Sequence, residues 1–190
     1  MVNMQVDLHI ETLESERRWN RLQRFESASP DGVLGKFLAY RDQETFVWLR
    51  APHAPLPDQT FVRSTRTIRL APAVGSTITE AEHFARIAES PLLELRQYRI
   101  VPGARRRFAE FLRERTFDEH VRLGMAIYGP FDALDDEDLI VWFRGFSDLV
   151  DRDRRKAQFY QGDLWVNELE SIAMPMIADY SNVMLVTPVA

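Results

Sequence analysis

The sequence predicts an α+β protein in which two tandem β-α-β-β-α-β repeats pack sheet to sheet as an α+β barrel. One observation is an internal repeat, because VWLR at residues 47–50 returns as VWFR at residues 141–144. A second is that the same order of predicted elements surrounds both copies. A third is that one such unit leaves an apolar sheet face bare, and two copies can bury those faces on each other.

The first half, residues 1–74, contains the repeat in a reduced form. Strict alternation of apolar and polar residues in QVDLHIET predicts its first strand. A helix follows, with an apolar stripe formed by Leu13, Trp19, Leu22 and Phe25. The predicted elements are strands at residues 5–12, 33–40, 44–50 and 65–71 and a helix at residues 13–27.

The second helix of this half is predicted to be absent. Pro52, Pro55 and Pro57 lie within residues 51–64, where the repeat requires that helix. Proline lacks a backbone N–H and clashes with the preceding helical turn, so we expect a turn at most. The first half is therefore predicted to be a degenerate copy.

Residues 75–91 are predicted to connect the halves through a helix from Thr79 to Glu89, with Thr79 as its cap. Residues 92–190 form the complete copy, and each copy is a ferredoxin-like unit. The predicted elements of the second copy are strands at residues 92–100, 125–131, 138–146 and 183–189 and helices at residues 104–123 and 148–170.

Five stretches of the second half resemble one known family. They are ELRQYRIVPG at 94–103, LGM at 123–125, VWFRGFSD at 141–148, FYQGDLW at 159–165 and SNVMLVTP at 181–188. Together they closely resemble the NIPSNAP family within the dimeric α+β barrel superfamily. The resemblance implies a NIPSNAP domain at residues 92–190, preceded by a degenerate repeat at residues 1–74 and a connector at residues 75–91.

The resemblance implies a pocket between the sheet and its helices, but it implies no single reaction. The superfamily includes cofactor-free monooxygenases, lactone isomerases and cyclases. It also includes haem enzymes such as chlorite dismutases.

The composition excludes several partners and sites. A formal charge of −5 provides no broad basic field for a nucleic acid. The two basic runs, Arg105–Arg107 and Arg152–Lys156, are interpreted as solvated helix faces. The absence of cysteine excludes disulfides, thiolate nucleophiles and thiolate-held zinc or iron–sulfur clusters.

The amino terminus lacks a signal-peptide pattern, and no apolar run approaches the roughly eighteen residues of a membrane span. We therefore expect a cytoplasmic protein without a membrane-spanning segment. The four histidines, His9, His53, His83 and His120, are scattered and match no metal-binding spacing. No metal and no cofactor are predicted, although haem needs only one axial ligand and stays open as an alternative.

Polar residues on the first strand of each half are candidates for a site. Glu94, Arg96 and Tyr98 share one face of their strand, and Asp7, His9 and Glu11 share the equivalent face in the first half. These strands are central in the predicted sheets, so their charges need partners. Two interpretations stay open: Glu94 pairs with Arg96 or Arg144 to hold the sheet together, or these residues line a pocket.

A second group of candidates lies on the helix after Pro102-Gly103. Arg115 and Glu119 fall on the same stripe as the apolar residues of that helix. Either the helix bends near Thr116 and turns both outward, or both face a polar cavity. His120 follows, and its ordinary pKa suits a general acid or base near neutral pH.

The predicted function is that of a cofactor-free enzyme of the monooxygenase, isomerase or cyclase type, acting on a hydrophobic ring-bearing metabolite. Trp142 beside Arg144 offers stacking and bidentate hydrogen bonds to a flat anion. The predicted catalytic residues are His120, His9 and Tyr98, and the predicted substrate-binding residues are Glu94, Arg96, Arg115, Glu119, Trp142 and Arg144. The alternatives are a non-enzymatic ligand-binding or assembly module and a haem-dependent enzyme. A small-molecule substrate is the expected partner, and a homodimer is left open.

Overall fold

The computed structural model describes residues 4–28, 31–42, 44–52, 54 and 56–189. The first half contains β1 (Val6–Leu13), α1 (Arg18–Ser27), β2 (Val33–Ala39), β3 (Thr45–Arg50) and β4 (Val62–Pro72). A 3₁₀ helix at Ala81–Glu89 connects the halves. The second half contains β5 (Leu92–Ile100), α2 (Arg105–Phe111), α3 (Phe117–Arg122), β6 (Ala126–Ala133), β7 (Leu139–Phe146), α4 (Leu149–Tyr160), α5 (Glu170–Ala173), β8 (Ile177–Asp179) and β9 (Val183–Pro188).

The strands form a closed antiparallel barrel. The strand order is β4-β1-β3-β2 in the first half and β9-β5-β7-β6 in the second. The two sheets also join at both edges, where Ala39 of β2 pairs with Val186 of β9 and Leu70 of β4 pairs with Ala133 of β6. The predicted α+β barrel of tandem ferredoxin-like repeats is confirmed, and the edge pairing closes it within one chain.

The barrel interior is an apolar core shared by both halves. Side chains alternate between the two faces of a strand, so Leu8 of β1 and Leu95 of β5 point inward and are fully buried. Phe37, Phe131 and Phe143 fill the space between them. The opposite faces of these strands point out of the barrel toward the covering helices, and the polar candidates lie there.

The repeat extends to the residues that face each other on these outer surfaces. The paired positions are Asp7–Arg50 and His9–Trp48 in the first half and Glu94–Arg144 and Arg96–Trp142 in the second. Trp48 and Trp142 therefore occupy equivalent positions, as the alignment of VWLR with VWFR predicts.

Two elements of the first half and the connector differ from the prediction. The helix predicted from residue 13 begins at Arg18, because β1 continues to Leu13. Trp19 is consequently 64% exposed, and Arg21 takes a fully buried position instead. The connector is a 3₁₀ helix whose N-cap is Glu80, without a capping side chain, so Thr79 does not cap it.

Neither long helix of the second half is continuous. The helix predicted over residues 104–123 contains a π turn at Leu112–Thr116, where Thr116 Oγ1 donates to the Leu112 carbonyl at 2.7 Å. The helix predicted over residues 148–170 is interrupted. Its first part ends at Tyr160, and a second π turn follows at Trp165–Leu169. An unpredicted strand, β8, then extends the pairing along β5.

The helix missing from the first half is absent from the described part of residues 51–64, as predicted, and Pro55 lies outside the described residues. No helix in the described ranges is long and apolar enough to cross a membrane.

Candidate functional site

A cavity of about 820 Å³ lies between the outer face of the second-half sheet and the helices that cover it. Its walls are mainly aromatic, formed by Phe108, Phe111, Trp142, Phe159, Tyr160 and Trp165. Five cationic side chains also line it, namely Arg41, Arg96, Arg144, Arg152 and Lys156. The volume falls in the range of small-molecule sites, so this cavity is the candidate site.

The first half also reaches this cavity. Ala39, Arg41 and Asp42, from the hairpin between β2 and β3, line the exposed end, which we call the mouth. The hairpin is held there because β2 pairs with β9 and the Tyr40 N–H donates to the Leu185 carbonyl at 2.8 Å. Closure of the barrel thus brings a first-half hairpin to a second-half site.

Glu94 is the fully buried anion at the centre of a cationic cluster. Its Oε2 accepts hydrogen bonds from Arg96 at 2.5 Å and from Arg144 at 2.7 Å. Its Oε1 accepts from Arg152 at 2.7 Å and lies 3.6 Å from Lys156 Nζ. Burial alone would raise the pKa of Glu94, but the four cations, Arg144 foremost, hold it well below its ordinary value. Glu94 therefore stays ionised and fixes the guanidinium groups.

The charged residues of these strands both form ion pairs that hold the sheet together and contribute to the cavity wall. Glu94 is fully buried and holds the sheet through its ion pairs, and it does not line the cavity. Arg96 and Arg144 make these pairs and also face the cavity. The carboxylate is thus a positioning group, and the guanidinium groups are available to a ligand.

Arg96, Tyr98 and Trp142 form one packed group at the floor of the cavity. The Tyr98 and Trp142 rings meet edge to face with centroids 4.5 Å apart. The Arg96 guanidinium lies 5.4 Å from the Trp142 ring centroid and donates to the Tyr98 hydroxyl. The aromatic residues therefore hold the Arg96 side chain in one orientation.

His120, on α3, lies against Arg144 and is 6% exposed. Its Nδ1 lies 2.7 Å from the Thr116 carbonyl and so carries the proton, whereas Nε2 accepts from Arg144 Nη1 at 3.3 Å. Burial first, and the charge of Arg144 next, lower the pKa of His120 to about 3. Such a weak base with both nitrogens engaged is poorly suited to accept a proton near neutral pH, which corrects the role expected from its ordinary pKa.

Tyr160, at the end of α4, offers a better-placed proton acceptor. Its hydroxyl lies 3.3 Å from Arg144 Nη1 and 3.5 Å from Arg96 Nη2. Burial alone would raise the pKa of this phenol, but the charges of Arg144 and Arg96 lower it to about 8. The phenolate of Tyr160 is therefore easier to form near neutral pH than that of an ordinary tyrosine.

Gly124 follows α3, which carries His120, in a backbone conformation that favours glycine. Its φ of 84° is in the left-handed region that ends many helices and favours glycine. A Cβ at this position would lie 1.6 Å from Arg155 Nη1, which donates to the Leu123 carbonyl at 2.7 Å. This close approach explains the glycine of the LGM stretch.

Arg115 and Glu119, predicted to bind substrate, do not line the cavity. Arg115 pairs with Glu168 at 3.3 Å on the surface, and Glu119 pairs with Arg122 at 2.6 Å. The π turn adds a residue to the helix and rotates the residues after it by about 100° relative to an uninterrupted helix. The outward alternative that the sequence left open is therefore the one observed.

His9, the other predicted catalytic histidine, lies in the first half and does not line the cavity. Its Nε2 accepts from Arg50 at 3.0 Å, its Nδ1 lies 2.9 Å from Thr67 Oγ1, and its ring stacks on Trp48 with centroids 4.2 Å apart. Burial first, and Arg50 next, lower the pKa of His9 to about 4. His9 is thus a neutral packing residue.

The corresponding outer face of the first-half sheet is covered directly by α1. Arg21 of that helix donates two hydrogen bonds of 2.8 Å to Glu11, and both side chains are fully buried. Trp48 Nε1 also donates to Glu11, at 3.0 Å. An arginine therefore fills the first half at the level where the second half has its cavity.

The described residues offer little to a metal or a haem. They contain no group of three or more His, Cys, Asp or Glu side chains able to hold a metal ion, and His53 lies outside them. His120 is the histidine that lines the cavity, and both of its ring nitrogens are engaged. The described histidines therefore do not fit an axial haem ligand there.

Sequence reasoning missed Tyr160, Arg152 and Lys156. Arg152 and Lys156 belong to a basic run that the sequence predicts to be a solvated helix face. That interpretation is correct for Arg154 of the same run, whose side chain is 63% exposed. Arg152 and Lys156 instead point to Glu94, with side-chain exposures of 15% and 31%. Their spacing of four residues, continued by Tyr160, was the available signal, because such positions share one helix face.

Comparison with protein-family models gives no match, and no curated protein matches the chain. Several solved structures are similar. A "putative monooxygenase" from Lactobacillus acidophilus NCFM has a TM-score of 0.68 at 11% identity, covering 98% of this chain and 94% of that one. A "putative chlorite dismutase" has a TM-score of 0.58 at 11% identity, covering 100% of this chain and 96% of that one.

A NIPSNAP domain protein from Burkholderia xenovorans is also similar, with a TM-score of 0.48 at 16% identity, covering 52% of this chain and 95% of that one. The two matches that extend over nearly the whole chain have TM-scores above 0.5. At these identities the likeness shows the fold.

Proposed function

We propose that the chain is a small-molecule enzyme that forms an anionic intermediate from a hydrophobic ring-bearing metabolite without a bound cofactor. The observation that carries this proposal is the position of the Tyr160 hydroxyl, next to Arg144 and Arg96 in an aromatic cavity. A proton acceptor and two guanidinium groups in one place suit removal of a proton and stabilisation of the charge that forms.

The proposed step transfers one proton. The Tyr160 phenolate takes it from an acidic C–H or O–H of the substrate, and the electron pair stays on the substrate as an enolate or phenolate. Arg144 and Arg96 donate hydrogen bonds to the oxygen of that anion, and Trp142 packs against the ring. Return of the proton to another substrate atom completes an isomerisation or a cyclisation. Reaction with dioxygen instead oxidises the acidic methylene to a carbonyl, and the second oxygen atom leaves as water with the two methylene hydrogens.

The other predicted residues take positioning roles in this proposal. Neutral His120 accepts from Arg144 and keeps that guanidinium turned toward Tyr160. Tyr98 accepts from Arg96 in the same way. Residues 92–190 supply the chemistry, residues 1–74 close the barrel and add the hairpin at the mouth, and residues 75–91 connect them.

Two alternatives make different demands on this cavity. A non-enzymatic ligand-binding module would use the same cavity without proton transfer. A haem-dependent enzyme would need a free axial ligand, which His120 does not offer. A homodimer would join two barrels that are each already closed, since β2–β9 and β4–β6 pair within one chain.

Hydrogen exchange of enolisable aromatic carbonyl compounds tests the proposal without the natural substrate. Phenylpyruvate and 2-tetralone lose the NMR signal of their acidic methylene protons in D₂O as exchange proceeds. We expect the wild type to accelerate exchange and Tyr160→Phe to lower that rate by about two to four orders of magnitude. The wild-type rate should rise with pH toward a plateau above about pH 8, as Tyr160 ionises.

Tyr40→Phe is the matched control, because Tyr40 is 48% exposed on the hairpin and its ring does not line the cavity. Its exchange rate should equal that of the wild type. Full activity in Tyr160→Phe would exclude Tyr160 as the acceptor. A wild type that accelerates exchange of neither compound would favour the binding-module alternative.

A further inference from the structure

We infer that the ligand of this cavity is an aromatic compound carrying one acid group, a carboxylate or sulfonate, which lies against the cationic cluster at the inner end. The inference rests on the proposed function because it concerns the same cavity. It adds the charge of the ligand and its orientation, with the acid group inward and the ring between the aromatic walls.

The cationic cluster has more positive than negative charge. Arg96, Arg144, Arg152 and Lys156 surround a single buried carboxylate, that of Glu94. On the exposed side, Asp153 pairs with Arg152 at 2.7 Å. Within the described part of the chain, these four cations and two carboxylates give the cluster a net charge of +2 while Tyr160 is protonated.

Two donors of the cluster also lack a hydrogen-bond acceptor among the described residues. Arg96 is 5% exposed and lines the cavity, yet its Nε has no hydrogen-bond partner among the described residues. Lys156 Nζ lies 3.6 Å from Glu94, beyond hydrogen-bond distance. Arg96 Nε is closed off from the cavity, but Lys156 lines it with a side chain that is 31% exposed, so its ammonium can donate to an acid oxygen of a ligand.

The charges along the cavity orient the ligand. Three exposed charged residues also line it, Arg41, Asp42 and Glu170, and together they have a net charge of −1. The inner end is positive, and Phe111, Phe159 and Trp165 line the space as aromatic walls. An acid group is therefore favoured at the inner end and disfavoured beside Asp42 and Glu170.

A pair of fluorescent probes with the same ring skeleton tests the inference. 8-Anilinonaphthalene-1-sulfonate is anionic, and N-phenyl-1-naphthylamine lacks its sulfonate. In fluorescence titrations of the folded protein at low salt, the anionic probe should bind about ten times more tightly than the neutral one. Added salt should reduce this difference, because screening weakens only the charged contact.

Two variants of α4 locate the acid group. Lys156→Met should weaken binding of the anionic probe about five- to tenfold and change binding of the neutral probe less than about twofold. Arg154→Met is the matched control, because it removes the same charge from the same helix at a side chain that is 63% exposed and does not line the cavity. It should change neither affinity, and equal melting temperatures of both variants would exclude a folding effect.

The outcomes distinguish this inference from the proposed function. Equal affinities of the wild type for both probes would overturn the anionic ligand while leaving the cavity as a binding site. Equal effects of Lys156→Met and Arg154→Met would overturn the placement at the inner end. If neither probe binds, the inference is overturned as well, and exchange of the neutral compound 2-tetralone still decides the proposed function.

Discussion

Replacing His120 with glutamine should make the stability of the protein less sensitive to acid. In the folded wild type, burial first and Arg144 next lower the pKa of His120 from 6.5 to about 3. Unfolding restores the ordinary pKa, so the unfolded chain takes up a proton below about pH 6.5 that the folded chain refuses. The contribution is thus present above that pH and is lost as the pH falls toward 3.

The size of the effect is set by this difference in proton uptake. Each pH unit in this window removes about 1.4 kcal/mol of the free energy of unfolding. Between about pH 7 and about pH 4.5, His120 alone should remove about 2–3 kcal/mol. A glutamine does not titrate, and it retains one donor for the Thr116 carbonyl and one acceptor for Arg144.

Urea unfolding followed by tryptophan fluorescence measures this free energy at both pH values for both proteins. The carboxylates and His9 titrate in wild type and variant alike, so the difference between the two pH-induced losses isolates His120. The wild type should lose about 2–3 kcal/mol more than His120→Gln. Equal losses would mean that His120 is not held neutral, and the general-base role expected from its ordinary pKa would return.

Two further substitutions and one spectrum of the wild type have defined outcomes. Arg115→Met should change the affinity of the anionic probe less than about twofold, since Arg115 pairs with Glu168 outside the cavity; a larger effect in the fluorescence titration would place it in the site. Glu94→Gln should lower the free energy of unfolding by about 3–5 kcal/mol in urea, because it leaves buried guanidinium groups without their anion, and a loss under about 1 kcal/mol would contradict that role. The absorbance spectrum of the purified protein should lack a Soret band, whose presence would promote the haem alternative.

The fold could be predicted from the sequence because its signals are local. Alternation in QVDLHIET and the return of VWLR as VWFR indicate the strands and their duplication directly. The pairing of Ala39 with Val186 could not be predicted, because it depends on how the two finished sheets meet. The π turn at Leu112–Thr116 has no comparable pattern in the sequence, and it changes the direction of the residues that follow it, including Glu119.

The candidate site could be predicted only in part. Strand alternation places Arg96, Trp142 and Arg144 on one outer face, and the structure brings them together around the cavity. The state of His120 could not be predicted, because its pKa depends on burial and on Arg144, which is 24 residues away in the sequence. Tyr160 was missed for the same reason, since its pKa is lowered by charges on two strands of the sheet.

A crystal structure of the protein soaked with phenylpyruvate tests the central claim most directly. We expect ligand density in the second-half cavity, with an oxygen of the ligand within about 3 Å of a guanidinium nitrogen of Arg144 or Arg96. The acidic methylene carbon should lie within about 3.5 Å of the Tyr160 hydroxyl, close enough for proton transfer. Density outside this cavity, or a ligand whose methylene carbon points away from Tyr160, would contradict both the site and the proton transfer assigned to it.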